Sequence, residues 1–375
     1  MKIALYELLT TVTLGGVQTS YWEVAKYLAR LGHEVHIYGG KGPLRQDVPP
    51  EVQVYTFPFL PNKYIPDLGS RFQRFMERLS FFCFTHRKLI DGGYDIIFIR
   101  KPYEMPMAWF IAKLSGAKVI FRSSGTEWIP SYKFFAKRLD GFFANSSYNS
   151  MQIFRKYGLQ PEVIYNGIDP DLFYPMPPDK SLMERFNIRE NETVFVSINR
   201  LVGLKGIQYA IQALAILQKS HPGKAKFLIV GDGDYRQNLW ELIKSLQLED
   251  RVLMVGQVDR REVPAYLSLA SLALFPTIGN DEAVSNALCE AMAAGVPVLV
   301  TTKGGIPEAV MERQNGFIVN PRDPVALAEK MTLIIDHPDL GKSMGEKARA
   351  SVLEYLTSEK ITEKLAGIFM KALEK

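Results

Sequence analysis

Short apolar runs that alternate with helix-forming segments occupy both halves of this chain, and this repeated alternation is the feature that most limits its possible folds. Runs such as Ile96 to Ile99 and Leu272 to Phe275 contain no polar residue. Strands lose polar alternation in this way when both faces of a parallel sheet are buried. Because strands and helices alternate along the chain, the sequence predicts doubly wound α/β sheets with helices on both faces.

A strand, a glycine-containing loop, a helix and a second strand are expected within the first forty residues. The apolar positions of the helix recur at helical spacing, and Gly32 supplies its stop. A proline-rich stretch from Pro43 to Pro66 predicts a long loop. The helix and strands predicted in this first region are Lys2 to Tyr6, Val17 to Leu31, Val35 to Tyr38, Ile96 to Ile99 and Lys118 to Phe121.

The segment from Asp169 to Pro178 contains repeated prolines, which disfavour both helix and central strand, so the domain boundary is placed there. Residues 1–170 are predicted to form one Rossmann-like domain and residues 171–356 another. A C-terminal helix at 357–375 is expected to pack back on the first domain. The strands predicted in the second domain are Val194 to Ile198, Phe227 to Val230, Val252 to Val255, Leu272 to Phe275 and Val296 to Val300.

Charge and cysteine content argue against several classes of protein. Residues 1–170 hold 21 Lys and Arg against 14 Asp and Glu, but without the clustering of a nucleic-acid surface, so no nucleic-acid partner is predicted. Two cysteines, Cys83 and Cys289, cannot form a disulfide framework, and no Cys/His cluster has zinc-ligand spacing. The sequence has no signal-peptide pattern and no apolar run of membrane-spanning length, which predicts a cytoplasmic protein.

Four short stretches carry the chemistry, and they are spread over the whole chain. They are Gly15-Gly16, then Asn199-Arg200-Leu201 with Lys205-Gly206, then the segment from Glu282 through Glu290 to Pro297, and finally Gly304 to Glu308 with Asn315 to Val319. In this order and spacing they resemble the retaining GT-B glycosyltransferases, in particular glycosyltransferase family four. The resemblance is strongest from Val163 to Ala328.

The resemblance implies an α/β protein of the GT-B type, with two doubly wound Rossmann-like domains facing a central cleft. A nucleoside-diphosphate sugar would be a co-substrate, held mainly by the second domain, with no cofactor and no metal. Its sugar would pass, with retention of configuration, to a glycan, lipid-linked or small-molecule acceptor. The same fold leaves two alternatives open, a sugar-nucleotide epimerase and a non-catalytic sugar-nucleotide-binding module.

Arg200 and Lys205 are the candidate cations for the leaving diphosphate. Breaking a sugar–phosphate bond places negative charge on that group, and an Arg fork beside a Lys point charge suits it. The resemblance adds Glu282 as the residue that contacts the donor sugar, which completes the catalytic set. A lone Arg/Lys pair in a loop is more commonly a pair of solvated charges, so the assignment rests on the accompanying motifs.

The segment after Glu282 predicts a helix N-terminus that can bind an anion. Ser285 is the expected N-cap, so the backbone N–H groups of Asn286 and Ala287 face the donor. The resemblance implies that Glu290 accepts hydrogen bonds from the ribose. Alternatively, both glutamates are ordinary acids stabilised by the helix dipole.

Backbone contacts complete the predicted donor site. The resemblance implies that Gly15 and Gly16 bring a backbone amide close to the diphosphate, where a side chain would block the approach. It also implies that the backbone of Gly256 and Val258 holds the base. Asp232-Gly233-Asp234 has the form of a metal-binding Asp-x-Asp motif, but it follows a predicted strand where a structural turn is expected.

The sequence departs from the family at Ser124, where many members have a histidine near the donor sugar. Arg122 and Glu127 are the residues that could compensate, so these three form the predicted acceptor side.

Residues 71–90 are predicted to form an amphipathic helix. A helical projection places Phe75 and Leu79 on one side and Arg74 and Arg78 on another. This pattern fits an interfacial helix at the inner face of a membrane, and equally a core helix with a solvated basic face.

Overall fold

The computed structural model describes residues 1–13, 15–43, 48–125, 127–280 and 282–374. The chain divides into two compact units. Residues 1–167 and 358–375 form the first unit, and residues 168–357 form the second. The corresponding boundaries predicted from the sequence lie after residues 170 and 356.

The first unit is a doubly wound parallel sheet, with seven strands within the described residues in the order β3-β2-β1-β4-β5-β6-β7. Apolar residues that alternate along these strands face two separate cores, one under α1 and α13 and the other under α2 to α5. Its strands are β1 (Lys2–Tyr6), β2 (Glu34–Gly40), β3 (Val52–Phe57), β4 (Ile96–Ile99), β5 (Lys118–Ser123), β6 (Gly141–Ala144) and β7 (Glu162–Val163). Its helices are α1 (Gly16–Arg30), α2 (Ser70–Ile90), α3 (Met105–Ser115), α4 (Tyr132–Ala136), α5 (Ser147–Tyr157) and the C-terminal α13 (Ser358–Leu373).

The second unit has the same architecture, with six parallel strands in the part that the structure describes, in the order β10-β9-β8-β11-β12-β13. Its strands are β8 (Thr193–Ile198), β9 (Ala225–Val230), β10 (Val252–Gly256), β11 (Leu272–Phe275), β12 (Val298–Thr301) and β13 (Gly316–Val319). Its helices are α6 (Lys180–Arg185), α7 (Ile207–Ser220), α8 (Arg236–Ser245), α9 (Val263–Leu267), α10 (Asn286–Ala293), α11 (Pro324–Asp336) and α12 (Pro338–Tyr355).

The C-terminal helix α13 belongs to the first unit although it follows the second in the sequence. Its apolar residues Ile361, Leu365 and Phe369 enter the core beneath α1. The rings of Phe369 and Phe98 lie 5.6 Å apart between centroids, which joins the helix to β4.

One prediction about the first unit is wrong. The proline-rich stretch from Pro43 to Pro66 contains strand β3, which pairs in parallel with β2 at the edge of the sheet. The strand carries polar Gln53 and Thr56 among its apolar residues, and it is flanked by prolines, so the pattern resembled a loop. Residues 44–47 of that stretch lie outside the described residues.

Both sheets reverse their winding at a central pair of strands. The reversal lies between β1 and β4 in the first unit and between β8 and β11 in the second. Ligands of open α/β sheets bind outside the carboxyl ends of the strands at such a switch point. A ligand-binding site is therefore expected at the loops that follow β1, β4, β8 and β11.

Candidate active site

The loops after β8 and β11 are joined at the carboxyl edge of the second sheet. The backbone N–H of Ile278 and the hydroxyl of Thr277 both donate to the carbonyl of Leu204, each at 2.9 Å. Gly206 has φ 70°, and a Cβ atom there would collide with the carbonyl oxygen of Pro276. Because glycine alone avoids that collision, the sequence lets the two loops meet closely.

Glu282 is held from its backbone side by the Gly304-Gly305 pair after β12. The N–H of Gly305 donates to the carbonyl of Glu282 at 2.7 Å. Gly304 has φ 60°, and a Cβ atom there would strike the same carbonyl. This part of the Gly304 to Glu308 motif therefore fixes the backbone that presents the Glu282 side chain.

Lys205 and Glu282 form an ion pair that spans the two joined loops. Both side chains are about one-fifth exposed, at 20% each, so the pair is shielded from solvent but open to a ligand. Arg200 lies in the same loop as Lys205 and is exposed, and its guanidinium makes no hydrogen bond or ion pair with the described residues. The structure thus brings Lys205 and Glu282 together and gives Arg200 no ion-pair partner in the part of the chain that it describes.

Helix α10 begins where the sequence predicts, with Ser285 at the N-cap and Asn286 and Ala287 as its first residues. The Ser285 side chain makes no capping hydrogen bond. Glu290 lies one turn further on and is buried, and its Oε1 accepts a hydrogen bond from Nε of Arg260 at 3.1 Å. Arg260, from the loop after β10, was missed by the sequence analysis.

The Asp232-Gly233-Asp234 segment supports the loop that carries Arg200. The N–H of Leu201 donates to the carbonyl of Asp232, and the N–H of Tyr235 donates to the carbonyl of Leu201, each at 2.9 Å. The Asp232 side chain accepts a hydrogen bond from the Gly233 N–H at 2.8 Å. Within the described ranges, no three His, Cys, Asp or Glu side chains lie together in a way that could hold a metal ion.

Gly256 and Val258 lie at and just beyond the carboxyl end of β10, two strands away from β8. The carbonyl of Gly256 accepts a hydrogen bond from the N–H of Gly231 at 2.7 Å. Neighbouring strands are about 4.8 Å apart, so this end lies about 10 Å from the carboxyl end of β8. Such a separation suits the two ends of a nucleotide diphosphate.

In the first unit, Gly15 is the N-cap of α1 and Gly16 is its first residue, after β1. Ser124 directly follows β5, and its Oγ accepts a hydrogen bond from Nε of Arg100 at 2.9 Å. Arg100 directly follows β4 and was missed, although a charged residue immediately after a buried strand is a usable signal.

Of the other residues predicted on the acceptor side, Arg122 requires a correction. It is completely buried, with Nε donating to the carbonyl of Ile164 at 2.9 Å and Nη2 donating to Oδ1 of Asn166 at 2.7 Å. An acceptor cannot reach a guanidinium in that position. Glu127 is half-buried and forms ion pairs with Arg74 at 3.1 Å and Lys101 at 3.2 Å.

Helix α2 does not have the exposed basic face that the helical projection indicates. Arg78 is buried and paired with Glu77 at 3.1 Å, so it is not part of an exposed basic face. Phe75 and Phe84 are exposed, as are Phe110 of α3 and Phe134 of α4. None of the described helices is long and apolar enough to cross a membrane.

These observations define the class of the protein: two doubly wound α/β units, each with polar loops at the carboxyl ends of its central strands, as in the GT-B fold. Comparison with known proteins agrees. The family described as "Glycosyl transferases group 1" matches residues 179–351, and "Glycosyltransferase Family 4" matches residues 14–172.

Individual proteins match along the chain as well. The chain is 27% identical to N-acetyl-alpha-D-glucosaminyl L-malate synthase of Bacillus anthracis, over 96% of this chain and 95% of that protein. It is 29% identical to the GDP-mannose-dependent alpha-(1-6)-phosphatidylinositol monomannoside mannosyltransferase of Mycobacterium tuberculosis, over 68% of this chain and 70% of that protein. The solved structure of sucrose-phosphate synthase from Thermosynechococcus elongatus matches its fold with a TM-score of 0.84, at 20% identity, over 100% of this chain and 99% of that one. The chain belongs to the group 1, family 4 glycosyltransferases, and it is an enzyme of that class.

Proposed function

We propose that this enzyme transfers a sugar, with retention of anomeric configuration, from a nucleoside-diphosphate sugar bound at the loops after β8, β10 and β11. The observation that carries the proposal is the Lys205–Glu282 ion pair in the loops where Arg200 also lies, with no ion-pair partner for Arg200 among the described residues. At the switch point of the second sheet, these side chains provide cations that can bind a diphosphate and a carboxylate that can accept hydrogen bonds from sugar hydroxyls.

The leaving diphosphate gains negative charge as the sugar–phosphate bond breaks. Arg200 offers a planar fork of donors to it, and Lys205 offers a point charge whose position is fixed by Glu282. Groups that are placed in advance stabilise a developing charge more strongly than mobile ones, because no reorganisation is needed during the reaction. In this proposal the reaction needs neither a metal nor a cofactor.

The sugar and the nucleoside occupy opposite ends of the same row of loops. Glu282 accepts hydrogen bonds from the sugar hydroxyls, while the N-terminus of α10 faces the phosphates. Glu290, oriented by Arg260, accepts hydrogen bonds from the ribose. The base lies against the backbone of Gly256 and Val258, and backbone contacts do not select one base. The names of the two curated relatives, with N-acetylglucosamine in one and GDP-mannose in the other, also leave the donor open.

The acceptor hydroxyl attacks the anomeric carbon on the face that the diphosphate leaves. Gly15 and Gly16 are the donor-binding residues that the first unit contributes, and Ser124 and Glu127 are its remaining acceptor-side residues. Serine titrates far above neutral pH, so Ser124 cannot act as an imidazole base would. Same-face attack, in which the departing phosphate takes the proton, does not require such a base.

A lipid-linked acceptor at an anionic membrane surface is the acceptor class that the first unit favours. Phe84, Phe110 and Phe134 are exposed on α2, α3 and α4, and the ring of Phe110 lies 5.9 Å from that of Phe82. In addition to Lys88, residues 81–90, 105–115 and 132–138 contain five other Lys or Arg residues, and these ranges contain no acidic residue. Apolar and cationic side chains on one helical layer are the features of an interfacial surface. The cytoplasmic location proposed here is supported by two free cysteines, Cys83 and Cys289.

The test begins with thermal unfolding of the whole protein in the presence of UDP, GDP and ADP. A nucleotide at a hundredfold its dissociation constant adds about 2.7 kcal/mol of stability, so the correct base raises the melting temperature clearly. Sugars on that nucleotide are then assayed for transfer, and NMR gives the anomeric configuration of the product. Free sugar nucleotide with inverted C2 would instead identify an epimerase, and an inverted glycosidic product would contradict retention.

A further inference from the structure

Arg100 connects three separate parts of the first unit through its guanidinium. Nη1 donates to the carbonyl of Val17 at 3.3 Å and to the hydroxyl of Ser20, both in α1. Nε donates to Oγ of Ser124 at 2.9 Å, and Nη2 donates to Oδ1 of Asn166 at 3.2 Å. One side chain therefore joins the first turns of α1 to the loop after β5 and to the loop after β7.

The charge of Arg100 is unusual for a buried group. Both Arg100 and Arg122 are at most 1% exposed, and neither forms an ion pair with a carboxylate among the described residues. Both donate to the same oxygen, Oδ1 of Asn166, which also accepts from the Ser20 hydroxyl at 3.1 Å. Burial lowers the pKa of Arg100 to about 10, so it stays charged at neutral pH.

Burying two unpaired like charges costs free energy that an apolar pair would avoid. These contacts, one to a backbone carbonyl and three to side chains, also require the guanidinium, since a lysine ammonium cannot reach Val17, Ser20, Ser124 and Asn166 from one position. The network lies at the switch point of the first sheet, directly after β4 and β5. Every side-chain nitrogen of Arg100 donates a hydrogen bond, whereas Nη1 of Arg122 has no partner among the described residues. A costly network of this kind at that place is better explained by the site than by stability.

We propose that Arg100 is a positioning residue for glycosyl transfer, which holds the first turn of α1 and Ser124 in a fixed relation. The inference rests on the proposed function, in which Gly16 at the start of α1 is a donor-binding residue and Ser124 is an acceptor-side residue of the first unit. Arg100 itself touches no substrate in this proposal. Its effect passes through the backbone of Val17 and the hydroxyl of Ser20, one turn from Gly16.

The test compares Arg100→Lys with a matched control, Arg251→Lys. Arg251 donates to Glu192 at 2.7 Å and to the carbonyl of Gly223 at 3.4 Å, at the amino ends of β8 and β10, away from the site. Displacing a positioning group by about 1 Å can cost on the order of a hundredfold in rate. Arg100→Lys is therefore expected to lower kcat between about tenfold and a hundredfold, with the KM for the donor changed by less than roughly threefold. Arg251→Lys is expected to keep its kcat.

Ser20→Ala provides a second variant that removes only a hydroxyl and leaves Arg100 in place. It is expected to lower kcat several-fold, and the double variant Ser20→Ala/Arg100→Lys is expected to lose less than the two single effects combined, because both act on one contact. Equal kcat in the folded wild type and Arg100→Lys would overturn the inference. If Arg100→Lys fails to fold, an unchanged kcat in Ser20→Ala would overturn it.

The two proposals fail in different ways. Wild-type protein that transfers no sugar from any nucleotide donor would remove the proposed function and this inference together. An active wild type with the same kcat and KM in all the first-unit variants would remove only the role of Arg100.

Discussion

The ammonium of Lys205 and the carboxylate of Glu282 form an ion pair between residues that are 77 positions apart in the sequence. Each group partly cancels the charge of the other in the absence of a donor. Because the pair is partly buried, removing one partner leaves the other with an uncompensated charge. The effect of a substitution here therefore depends on which charge remains.

Removing either cation should slow the chemical step. Arg200→Ala and Lys205→Ala are each expected to lower kcat by about 10² to 10³, by analogy with lost oxyanion-hole donors. Initial-rate kinetics with saturating donor measure this loss. Lys219→Ala is the control, because Lys219 is exposed in the last turn of α7, at the opposite end of the strands. A raised KM with unchanged kcat would contradict the assignment, since it indicates uniform ground-state binding.

The ion pair adds a second expectation for Lys205. In Lys205→Ala the carboxylate of Glu282 faces the diphosphate without its partner, so nucleotide binding should weaken more than in Arg200→Ala. Adding Glu282→Gln to Lys205→Ala should then restore part of the nucleotide affinity, because the repulsion is removed. Thermal stabilisation by the nucleotide measures the recovery.

Transfer should not depend on a divalent metal. Arg200 and Lys205 supply positive charge at the diphosphate, so excess EDTA is expected to leave the initial rate unchanged. Inactivation by EDTA with recovery on adding Mg²⁺ or Mn²⁺ would contradict this expectation. It would also make Asp232 and Asp234 candidate ligands, although Asp232 now supports the loop of Leu201.

Loss of the Ser124 hydroxyl should have a modest effect. Ser124→Ala removes one acceptor of Arg100, whose guanidinium keeps its contacts to Val17, Ser20 and Asn166. We expect kcat to fall by much less than the hundredfold typical of a lost transition-state donor. A loss beyond about a hundredfold would mean that Ser124 itself takes part in the reaction.

Much of this fold follows from local sequence patterns. Ile96 to Ile99 and Leu272 to Phe275 form strands with the bounds that their continuous apolar runs indicate. Strand β3 was missed because it lies at an edge, where one face is partly exposed and polar residues are tolerated. Edge strands carry the weaker sequence signal for this reason.

The candidate site, like the fold, could be predicted from the sequence only in part. Lys205 and Glu282 could be assigned from motifs, because strand ends place both at the same edge of the sheet. Arg100 offered a usable signal, because it directly follows a buried strand. The contacts that join it to Asn166, and Arg260 to Glu290, could not be predicted, because they depend on side chains from distant segments. The burial of Arg122 was equally invisible, since a strand residue of either orientation has the same local sequence.

Because of His36, the free energy of unfolding should fall when the solution is made mildly acidic. Burial lowers its pKa, and nearby Lys2 and Lys88 add to the effect against the opposing charge of Glu34. The unfolded chain therefore binds more protons than the folded one near the ordinary pKa of 6.5. The contribution of His36 to stability is fully present above that pH, and it is lost as the pH falls from there through the lower pKa of the folded state. The melting temperature of His36→Gln should decline less between neutral pH and pH 5 than that of the wild type, and equal declines would contradict this.

The exposed aromatic surface of α2, α3 and α4 should bind anionic membranes. Wild-type protein is expected to float with vesicles that contain anionic lipid at low salt, and to be released at high salt, because the attraction combines charge with apolar burial. The double variant Phe84→Ser/Phe110→Ser removes two exposed rings without entering the core, so it should float much less. Met370→Ser is the matched control, since Met370 is exposed on α13, which covers the other face of the same sheet. Two results would contradict the prediction: wild-type protein that stays in the lower fraction at low salt, or a double variant that floats as well as the control. In either case these helices only cover the core, and the acceptor must be sought among water-soluble glycans and small molecules.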